Sequence, residues 1–502
     1  MPKSTRWALV MYTTIASCIA PSVFSANITR GPYLQSCSST GIVVRWRTDW
    51  PSDSRVRFHA ANQIDESEVF EYAWRTEHEL LLPALTPNTT YFYSVGSMSE
   101  TLASGANCYF RTHATNARPV RIWAIGDAGT GDANQAAVRD AYLNHSNSES
   151  TDVWLMLGDN VYNEGNDDEY QWKLFGAYAD MMRHTPFWPA LGNHDAPYGN
   201  ADEYTGIFTL PTKGESGGVP SQTELYYSFN CANIHFVCLD SWLSDRSPDG
   251  PMLQWLRADL AAATQDWIIA YWHHPPYSWG TDFSDSTYIL IQMREQVVPI
   301  LERYGVDLVL CGHSHVYERS YLLNGHYGYS WTFNSQHTVD GSMGGADGFG
   351  PYRKPPVCAA ANAGTVYMVC GNSGVGGPVN FQRHPAMAAK NNGYGSIVLD
   401  VDGPRLTAKY LRPGGAVDDH FTIDKSATRL APPRLDFAAA DGALTLTWPI
   451  TTPEFQLEAT TNFFDGDGWR PVGITPEAIG PNRQTTLPLT NAQSFFRLHA
   501  NQ

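Results

Sequence analysis

Five short motifs with carboxylate, amide or imidazole side chains occur in order along this sequence. They are Gly126-Asp127-Ala128-Gly129, Gly158-Asp159-Asn160-Val161-Tyr162, Gly192-Asn193-His194-Asp195, His273-His274-Pro275-Pro276 and Gly312-His313-Ser314-His315-Val316-Tyr317-Glu318-Arg319. Oxygen and nitrogen donors of these kinds are the ligands that proteins offer to first-row transition metals. The sequence therefore predicts a metal site assembled from several loops.

Apolar segments precede the motifs and predict the strands that position them. The segments are 122–125, 153–157, 267–272 and 306–310, separated by helical patterns such as 252–263 and 292–304. Loops at the carboxyl ends of neighbouring strands meet outside the sheet, and ligands bind there. Each motif is thus expected to lie in a loop that can hold ligands outside the sheet of an α/β domain.

Each motif taken alone has a structural explanation. A Gly-Asp pair such as Gly126-Asp127 is most often a turn, and a single tyrosine such as Tyr162 is most often a packing residue. The last motif is more specific, because His313 and His315 lie at i and i+2 and share one face of an extended segment. The ordered set of five favours a functional site.

Together the motifs resemble the metallophosphoesterase (calcineurin-like phosphoesterase) superfamily and, within it, the purple acid phosphatases. Two details favour the purple branch: Ala128-Gly129 follows Asp127 where many relatives carry Asp-X-His, and Tyr162 occupies the tyrosine position of the second motif. The phrase Gly31-Pro32-Tyr33-Leu34-Gln35 is similar to the fibronectin type III-like domain that precedes such phosphatase domains. The resemblance covers residues 27 to about 425.

The resemblance implies an α/β (α+β) fold with a core of two packed mixed β-sheets flanked by helices. We expect a fibronectin type III-like β-sandwich over 27–117, with strands at 42–46, 55–58, 78–82, 91–95 and 109–112, and a catalytic domain over 119–425. Ala431-Pro432-Pro433 predicts a linker, because consecutive prolines resist both helix and sheet pairing. A small C-terminal β module is expected over 432–502.

The resemblance also implies a ligand set and a mechanism. Residue by residue, it implies that Asp127, Tyr162 and His315 are ligands of a ferric ion. Asn193, His273 and His313 are implied as ligands of a divalent ion (Zn, Fe or Mn), and Asp159 as a ligand that bridges the two ions. Phenolate and carboxylate suit Fe(III), whereas amide and imidazole suit the divalent ions. The implied reaction is hydrolysis of small phosphate monoesters by a metal-bound hydroxide.

His194 is the implied catalytic residue, hydrogen-bonding the phosphoryl oxygen and protonating the leaving alkoxide. One departure concerns the residues after the fourth motif. Plant enzymes of this family carry further histidines there, whereas this chain has Tyr277-Ser278-Trp279-Gly280-Thr281-Asp282. The resemblance therefore does not assign the residues that contact the substrate.

Residues 1–25 are predicted to be a signal peptide, with basic Lys3 and Arg6 before an apolar run from Trp7 to Ala16. This predicts a secreted, periplasmic or cell-surface protein. Residues 15–18 also resemble a lipoprotein cleavage box, so the alternative is a lipid anchor at Cys18. The sequence has no apolar run of the roughly 20 residues that a membrane span requires.

The formal net charge of −17 disfavours nucleic-acid binding. Among eight cysteines, Cys37 and Cys108 are the one pair predicted to form a disulfide, and Cys311 is predicted to be a core residue. The sequence gives no oligomeric state.

Two other functions compete with the purple phosphatase. One is a non-purple metallophosphoesterase, a phosphodiesterase or nucleotidase on the same fold. The other is an exported binding or adhesion protein with a vestigial core, for which a missing ligand is expected. All seven ligand positions are filled, which favours an enzyme.

Overall fold

A computed structural model describes residues 25–146, 150–345, 350–356, 360–376, 382–426, 435–440, 442–449, 455–461, 469–479, 482–488 and 494–500. The predicted signal peptide up to residue 24, the alternative anchor at Cys18 and the predicted linker at 431–433 lie outside these residues. No helix in the described part of the chain is both long and apolar enough to cross a membrane.

Six strands form the N-terminal sheet: β1 (Ile28–Gln35), β2 (Ile42–Ala60), β3 (Ser67–Leu82), β4 (Thr90–Gly96), β5 (Thr101–Ala103) and β6 (Tyr109–Arg111). The sequence predicted separate strands at 42–46 and 55–58, but both belong to β2. Its first half pairs with β1 and its second half with β4. Irregular register against β3 between Arg47 and Ser54 marks the change, because bulges bend and twist a strand.

The middle of the chain contains two seven-stranded mixed sheets. The first sheet has the order β17-β22-β21-β20-β7-β8-β9 and contains β7 (Val120–Ile125), β8 (Val153–Met156), β9 (Phe187–Pro189), β17 (Tyr352–Arg353), β20 (Ser396–Asp402), β21 (Arg405–Leu411) and β22 (Val417–Asp424). The second sheet has the order β10-β11-β12-β13-β18-β14-β19 and contains β10 (Tyr227–Cys231), β11 (Ile234–Cys238), β12 (Trp267–Trp272), β13 (Leu308–Cys311), β14 (Tyr317–Ser320), β18 (Val366–Cys370) and β19 (Met387–Asn391). A short hairpin pairs β15 (Leu322–Leu323) with β16 (Thr338–Asp340).

Burial on both faces explains why the central strands are continuous apolar runs. Ile122, Leu155 and Ile269 belong to one buried cluster shared by the two large sheets. The neighbouring Ile268 points the other way, into a second cluster that contains Leu301 and other helical residues. The predicted fold class, packed mixed sheets with helices outside, is confirmed.

Helices cover the outer faces and lie between strands. They are α1 (Ala133–Ser146), α2 (Asp167–Glu169), α3 (Gly176–Met182), α4 (Asp202–Ile207), α5 (Pro251–Ala262), α6 (Tyr288–Gln292) and α7 (Val298–Arg303). The predicted helix at 252–263 matches α5. The one at 292–304 instead contains a π-helical turn at Met293–Val297 before α7, and a second π-helical segment covers Tyr170–Phe175.

After residue 435 the described residues form the strands β23 (Asp436–Ala440), β24 (Ala443–Pro449), β25 (Phe455–Thr460), β26 (Arg470–Pro471), β27 (Glu477–Ile479), β28 (Asn482–Pro488) and β29 (Phe495–Ala500). They form a four-stranded and a three-stranded sheet. Leu446, Trp448 and Leu457 are the buried residues of a small cluster there.

The predicted disulfide between Cys37 and Cys108 is wrong, because both thiols are free and buried. The Cys37 Sγ lies 3.7 Å from the carbonyl oxygens of Ser38 and Arg111. Burial raises the pKa of Cys37 to about 12, so the thiol stays protonated and behaves as a small core residue. Cys311 is buried within β13, as predicted.

Candidate metal centre

The five motifs follow strands whose carboxyl ends point to the same place. In the first sheet β7, β8 and β9 are parallel neighbours, and in the second sheet β12 and β13 are parallel neighbours. Asp127 and Asp159 come two and three residues after β7 and β8, and His273 and His313 come one and two residues after β12 and β13. The site therefore lies where the loops of two sheets meet.

Three of the site residues adopt left-handed backbone conformations that are rare for residues other than glycine. The φ angles are +54° at Asp127, +49° at Asp159 and +66° at His313. Such conformations cost about 1–3 kcal/mol each and persist where the surrounding structure enforces them. Here the His313 amide donates to Asp127 Oδ2 at 2.7 Å, which fixes two of the strained residues against each other.

Glycines in the motifs allow the backbone to approach these carboxylates. A Cβ on Gly192 would lie 2.2 Å from Asp159 Oδ1, and a Cβ on Gly312 would lie 2.5 Å from Asp127 Oδ2. Both distances are well below van der Waals contact, so a side chain at either position would displace a carboxylate.

One group of donor atoms surrounds Asp127. The Tyr162 hydroxyl donates to Asp127 Oδ1 at 2.9 Å, and His315 Nε2 lies 3.4 Å from the same oxygen. Asp127 is fully buried. A carboxylate, a phenol and an imidazole thus converge, which is the combination assigned to the ferric ion from the sequence.

A second group converges on the amide oxygen of Asn193. His273 Nε2 and His313 Nδ1 each lie 3.1 Å from Asn193 Oδ1. Asp159 joins the two groups, because its Oδ1 lies 3.3 Å from His273 Nε2, and the donor atoms of Asp127, Asp159 and His273 are all within 4.8 Å of one another. All seven residues predicted as metal ligands are therefore gathered at one place.

The buried carboxylates make this place attractive to cations. Burial alone would lower the pKa of His273, but the charges of Asp159 and Asp127 raise it to about 10. Burial likewise opposes ionisation of Asp159, yet the charge of His273 lowers the Asp159 pKa to about 2. A field that holds a proton on a buried imidazole also favours a metal ion in the proton's place.

The negative charges that favour a proton or a cation at His273 also oppose ionisation of the Tyr162 phenol. Burial and the charges of Asp127 and Asp159 hold its pKa well above the usual value of 10. Without a metal ion the phenol therefore keeps its proton and donates it to Asp127. A bound cation removes this penalty, because it stabilises the phenolate directly.

His194 lies beside the two groups rather than within them. Its backbone N–H donates to Asp159 Oδ1 at 2.8 Å, and its Nδ1 lies 2.9 Å from the carbonyl oxygen of Asn163. Because a carbonyl accepts only, Nδ1 carries the hydrogen and Nε2 is the remaining ring atom. The ring lies 4.7 Å from that of Tyr162 and is partly exposed.

His274 also lies at the site, although it was not assigned as a ligand. Its ring is 4.1 Å from the ring of His313, and the donor atoms of His273, His274 and His313 lie within 4.8 Å of one another. Its Nδ1 is 2.8 Å from the Ser241 hydroxyl. Burial, with the charges of His313 and His273, lowers the pKa of His274 well below its usual value, so this imidazole is neutral.

Two acidic residues were not given a role by the sequence. Asp195 is buried and accepts hydrogen bonds from the Gly192 amide at 2.8 Å, the Tyr170 hydroxyl at 2.8 Å and the Asn160 amide at 3.1 Å, so it joins the second and third motif loops. Burial and the charge of Asp159 raise the pKa of Asp195 to about 7.

The other acid, Asp282, contacts His313, where its Oδ1 lies 3.5 Å from Nε2. The position of Asp195 inside the third motif could have indicated a role for it from the sequence. Asp282 lies in no motif, so the sequence offered no such signal for it.

Comparisons with known proteins show which families this chain resembles. Residues 120–317 match the family model described as calcineurin-like phosphoesterase. Purple acid phosphatase 15 of Arabidopsis thaliana is 30% identical over 276 residues, which are 48% of this chain and 49% of that protein. Purple acid phosphatase 22 of the same plant is 29% identical over 269 residues, 52% of this chain and 57% of that protein. The match thus spans about half the length of these relatives.

Solved structures share the fold. The structure of a purple acid phosphatase from yellow lupin (Lupinus luteus) seeds has a TM-score of 0.61 at 17% identity, covering 80% of this chain and 74% of that one. The structure of PhoD has a TM-score of 0.58 at 15% identity, covering 81% and 92%. The chain therefore contains a calcineurin-like phosphoesterase domain, and it is similar in sequence and fold to purple acid phosphatases.

Proposed function

We propose that this protein hydrolyses small phosphate monoesters at a dinuclear metal centre of the purple acid phosphatase type. Asp127, Tyr162 and His315 would hold Fe(III), and Asn193, His273 and His313 would hold a divalent ion (Zn, Fe or Mn), with Asp159 between the two. The observation that carries the proposal is the convergence of two imidazole nitrogens on the Asn193 oxygen, beside a carboxylate that also faces the first group.

The chemistry of the donors fits two different metals. The first group offers a carboxylate and a phenol, hard oxygen donors that suit Fe(III), and the second offers two imidazoles and an amide, which suit a divalent ion. When bound, such a pair of ions activates water and neutralises the charge that develops on the phosphoryl group. Asp127 and Asp159, both buried, supply the negative charge that keeps the ions in place.

His194 is proposed as the residue that handles the substrate. The Asn163 carbonyl fixes its Nδ1–H, which leaves Nε2 to hydrogen-bond a phosphoryl oxygen and, when protonated, to supply a proton to the leaving alkoxide. The hydrogen bond from its backbone to Asp159 couples its position to that of the proposed bridge.

The experiment is metal analysis of the purified full chain together with phosphatase assays. We expect two metal ions per chain and hydrolysis of p-nitrophenyl phosphate that disappears on chelation and returns with iron plus a divalent ion. Fewer than two ions, or hydrolysis that survives complete metal removal, would refute the dinuclear proposal. Bis-p-nitrophenyl phosphate as a second substrate separates this function from a phosphodiesterase.

Export is proposed with the function, and it rests on the basic start and apolar run of residues 1–25. Fractionation of the native organism's cells, with mass spectrometry of the mature N-terminus, tests it. A start near residue 26 supports a signal peptide, a lipidated Cys18 supports the alternative anchor, and an intact Met1 refutes both.

A further inference from the structure

The segment from Ser278 to Asp282 contacts both histidines of the last motif. It begins six residues after the end of β12 and is the stretch where this chain departs from the plant enzymes. The Thr281 hydroxyl oxygen accepts a hydrogen bond from the backbone N–H of His315 at 3.0 Å. Asp282 Oδ1 lies 3.5 Å from His313 Nε2. The segment is thus built against the candidate metal centre.

The two ring nitrogens of His313 face different partners. Nδ1 faces the Asn193 oxygen at 3.1 Å, and Nε2 faces the Asp282 carboxylate. An imidazole that binds a metal through one nitrogen carries its hydrogen on the other. With Nδ1 as the ligand atom, the hydrogen lies on Nε2, and Asp282 is the acceptor next to it.

Buried interactions hold the start of the segment, and the backbone N–H of Asp282 lies 3.4 Å from the Ser314 hydroxyl oxygen. Glu318 is fully buried, and its Oε2 lies 2.7 Å from the Ser278 hydroxyl and 3.2 Å from the Trp279 amide. Lys390 neutralises Glu318 from 3.5 Å. The beginning of the segment is therefore fixed to β14, which directly follows the two histidines. The side chain of Asp282 itself is 31% exposed, so its carboxylate remains partly solvated and charged.

We propose that Asp282 is a positioning residue, whose carboxylate accepts the Nε2–H of His313 and so presents Nδ1 to the divalent ion. The inference rests on the proposed dinuclear function and adds a residue to it. Acceptors behind metal-binding histidines fix the tautomer and the ring orientation, and their loss typically lowers metal affinity by about 10–100-fold. Because Asp282 faces the second donor group, the effect is specific to one of the two ions.

The test is metal titration of the metal-free full chain, comparing Asp282→Ala and Asp282→Asn with the wild type. Asp285→Asn is a matched control, because this neighbouring carboxylate accepts hydrogen bonds from Ser330 instead of a candidate ligand. We expect Asp282→Ala to lower the affinity for the divalent ion by about 10–100-fold and to leave the affinity for the ferric ion unchanged. Asp282→Asn retains an acceptor oxygen and should lose less affinity for the divalent ion than Asp282→Ala. The control should match the wild type.

A second readout is the ¹⁵N NMR signature of the His313 ring in the zinc-loaded chain. We expect a single tautomer with the hydrogen on Nε2 in the wild type, and loss of that fixed state in Asp282→Ala. Wild type with two ions, but unchanged affinities and an unchanged tautomer in Asp282→Ala, overturns the inference alone. An equal loss of affinity for both ions in Asp282→Ala also overturns the inference. A wild type that binds fewer than two ions overturns the proposed function and this inference together.

Discussion

Tyr162 donates its phenolic hydrogen to Asp127 Oδ1 across 2.9 Å, although the two residues are 35 positions apart. Asp127 follows β7 and Tyr162 follows β8, and these parallel neighbours bring the first two motif loops together. Both residues belong to the group proposed to hold the ferric ion.

Replacing Asp159 with alanine is expected to remove both metals and nearly all activity. Its carboxylate faces both donor groups, so its loss leaves two coordination spheres incomplete. Metal content per chain by mass spectrometry is the measurement, and Asp140→Ala, at a 55% exposed carboxylate on α1, is the control. A wild-type metal content in Asp159→Ala would rule out the bridging role.

His194→Ala is expected to keep both metals but to lower kcat by about 10²–10⁴-fold, the usual span for a positioned acid or base. The reason is that His194 touches the site through its backbone and ring without joining either donor group. The loss should be larger for an alkyl phosphate than for p-nitrophenyl phosphate, because a poor leaving group needs the proton more. Equal turnover of wild type and variant on the alkyl ester would exclude His194 from proton transfer.

Between the two adjacent histidines, His273→Ala should lose more metal than His274→Ala. Both rings are at the site, but His273 Nε2 faces Asn193 and Asp159, whereas the Nδ1 of His274 pairs with Ser241. Metal content of the two variants, purified side by side, gives the comparison. The assignment is reversed if His274→Ala is the more depleted protein.

Stability should fall as the pH is lowered from about 6.5 to 4, and buried His113 should contribute to the fall. Burial lowers the pKa of His113 to about 4, while an unfolded histidine titrates near 6.5. The unfolded state therefore takes up the proton first, so this residue's contribution is complete above pH 6.5 and disappears toward pH 4, by about 3 kcal/mol. Urea unfolding across this pH range is the measurement.

The matching variant for that experiment is His113→Gln, which keeps a donor for the Asn230 carbonyl that His113 Nδ1 contacts at 2.8 Å. Its free energy of unfolding should change less with pH than that of the wild type. His420→Gln, at an exposed position, is the comparison variant for the same measurement. Identical slopes for wild type and His113→Gln would show that His113 does not titrate in this way.

The sequence predicted the parts of this molecule that depend on local pattern. The apolar strands before Asp127 and Asp159 follow from short periodicities. The extended segment expected at His313 and His315 is wrong, because the chain bends there and His313 has a φ angle of +66°. Parallel neighbours within one sheet place their carboxyl ends together, which explains the grouping of the first three motifs and of the last two. The meeting of the two groups depends on how the two sheets pack, which strand order alone does not give.

The remaining features depend on contacts between distant segments. The continuous strand β2 has an irregular register against β3, and the π-helical turn before α7 is a rare local variant that apolar spacing alone does not predict. Asp282 lies beside His313 because contacts with distant residues, Glu318 to Ser278 and His315 to Thr281, fix its segment there. The Cys37–Cys108 prediction failed for the same reason, since sequence position does not give the distance between two buried thiols.

Tyr162 provides the most direct test of the proposed centre, because its phenol separates an Fe(III) site of the purple type from other metallophosphoesterase sites. A phenolate bound to Fe(III) donates charge to the metal and absorbs visible light. Tyr162→Phe keeps the ring and removes only the oxygen, so the change reports coordination and not a packing defect. The measurement is the visible spectrum of the iron-loaded, oxidised chain with and without this substitution. We predict a coloured wild type and a bleached variant that retains part of its metal. A wild type without a Tyr162-dependent band would contradict the Fe(III) assignment.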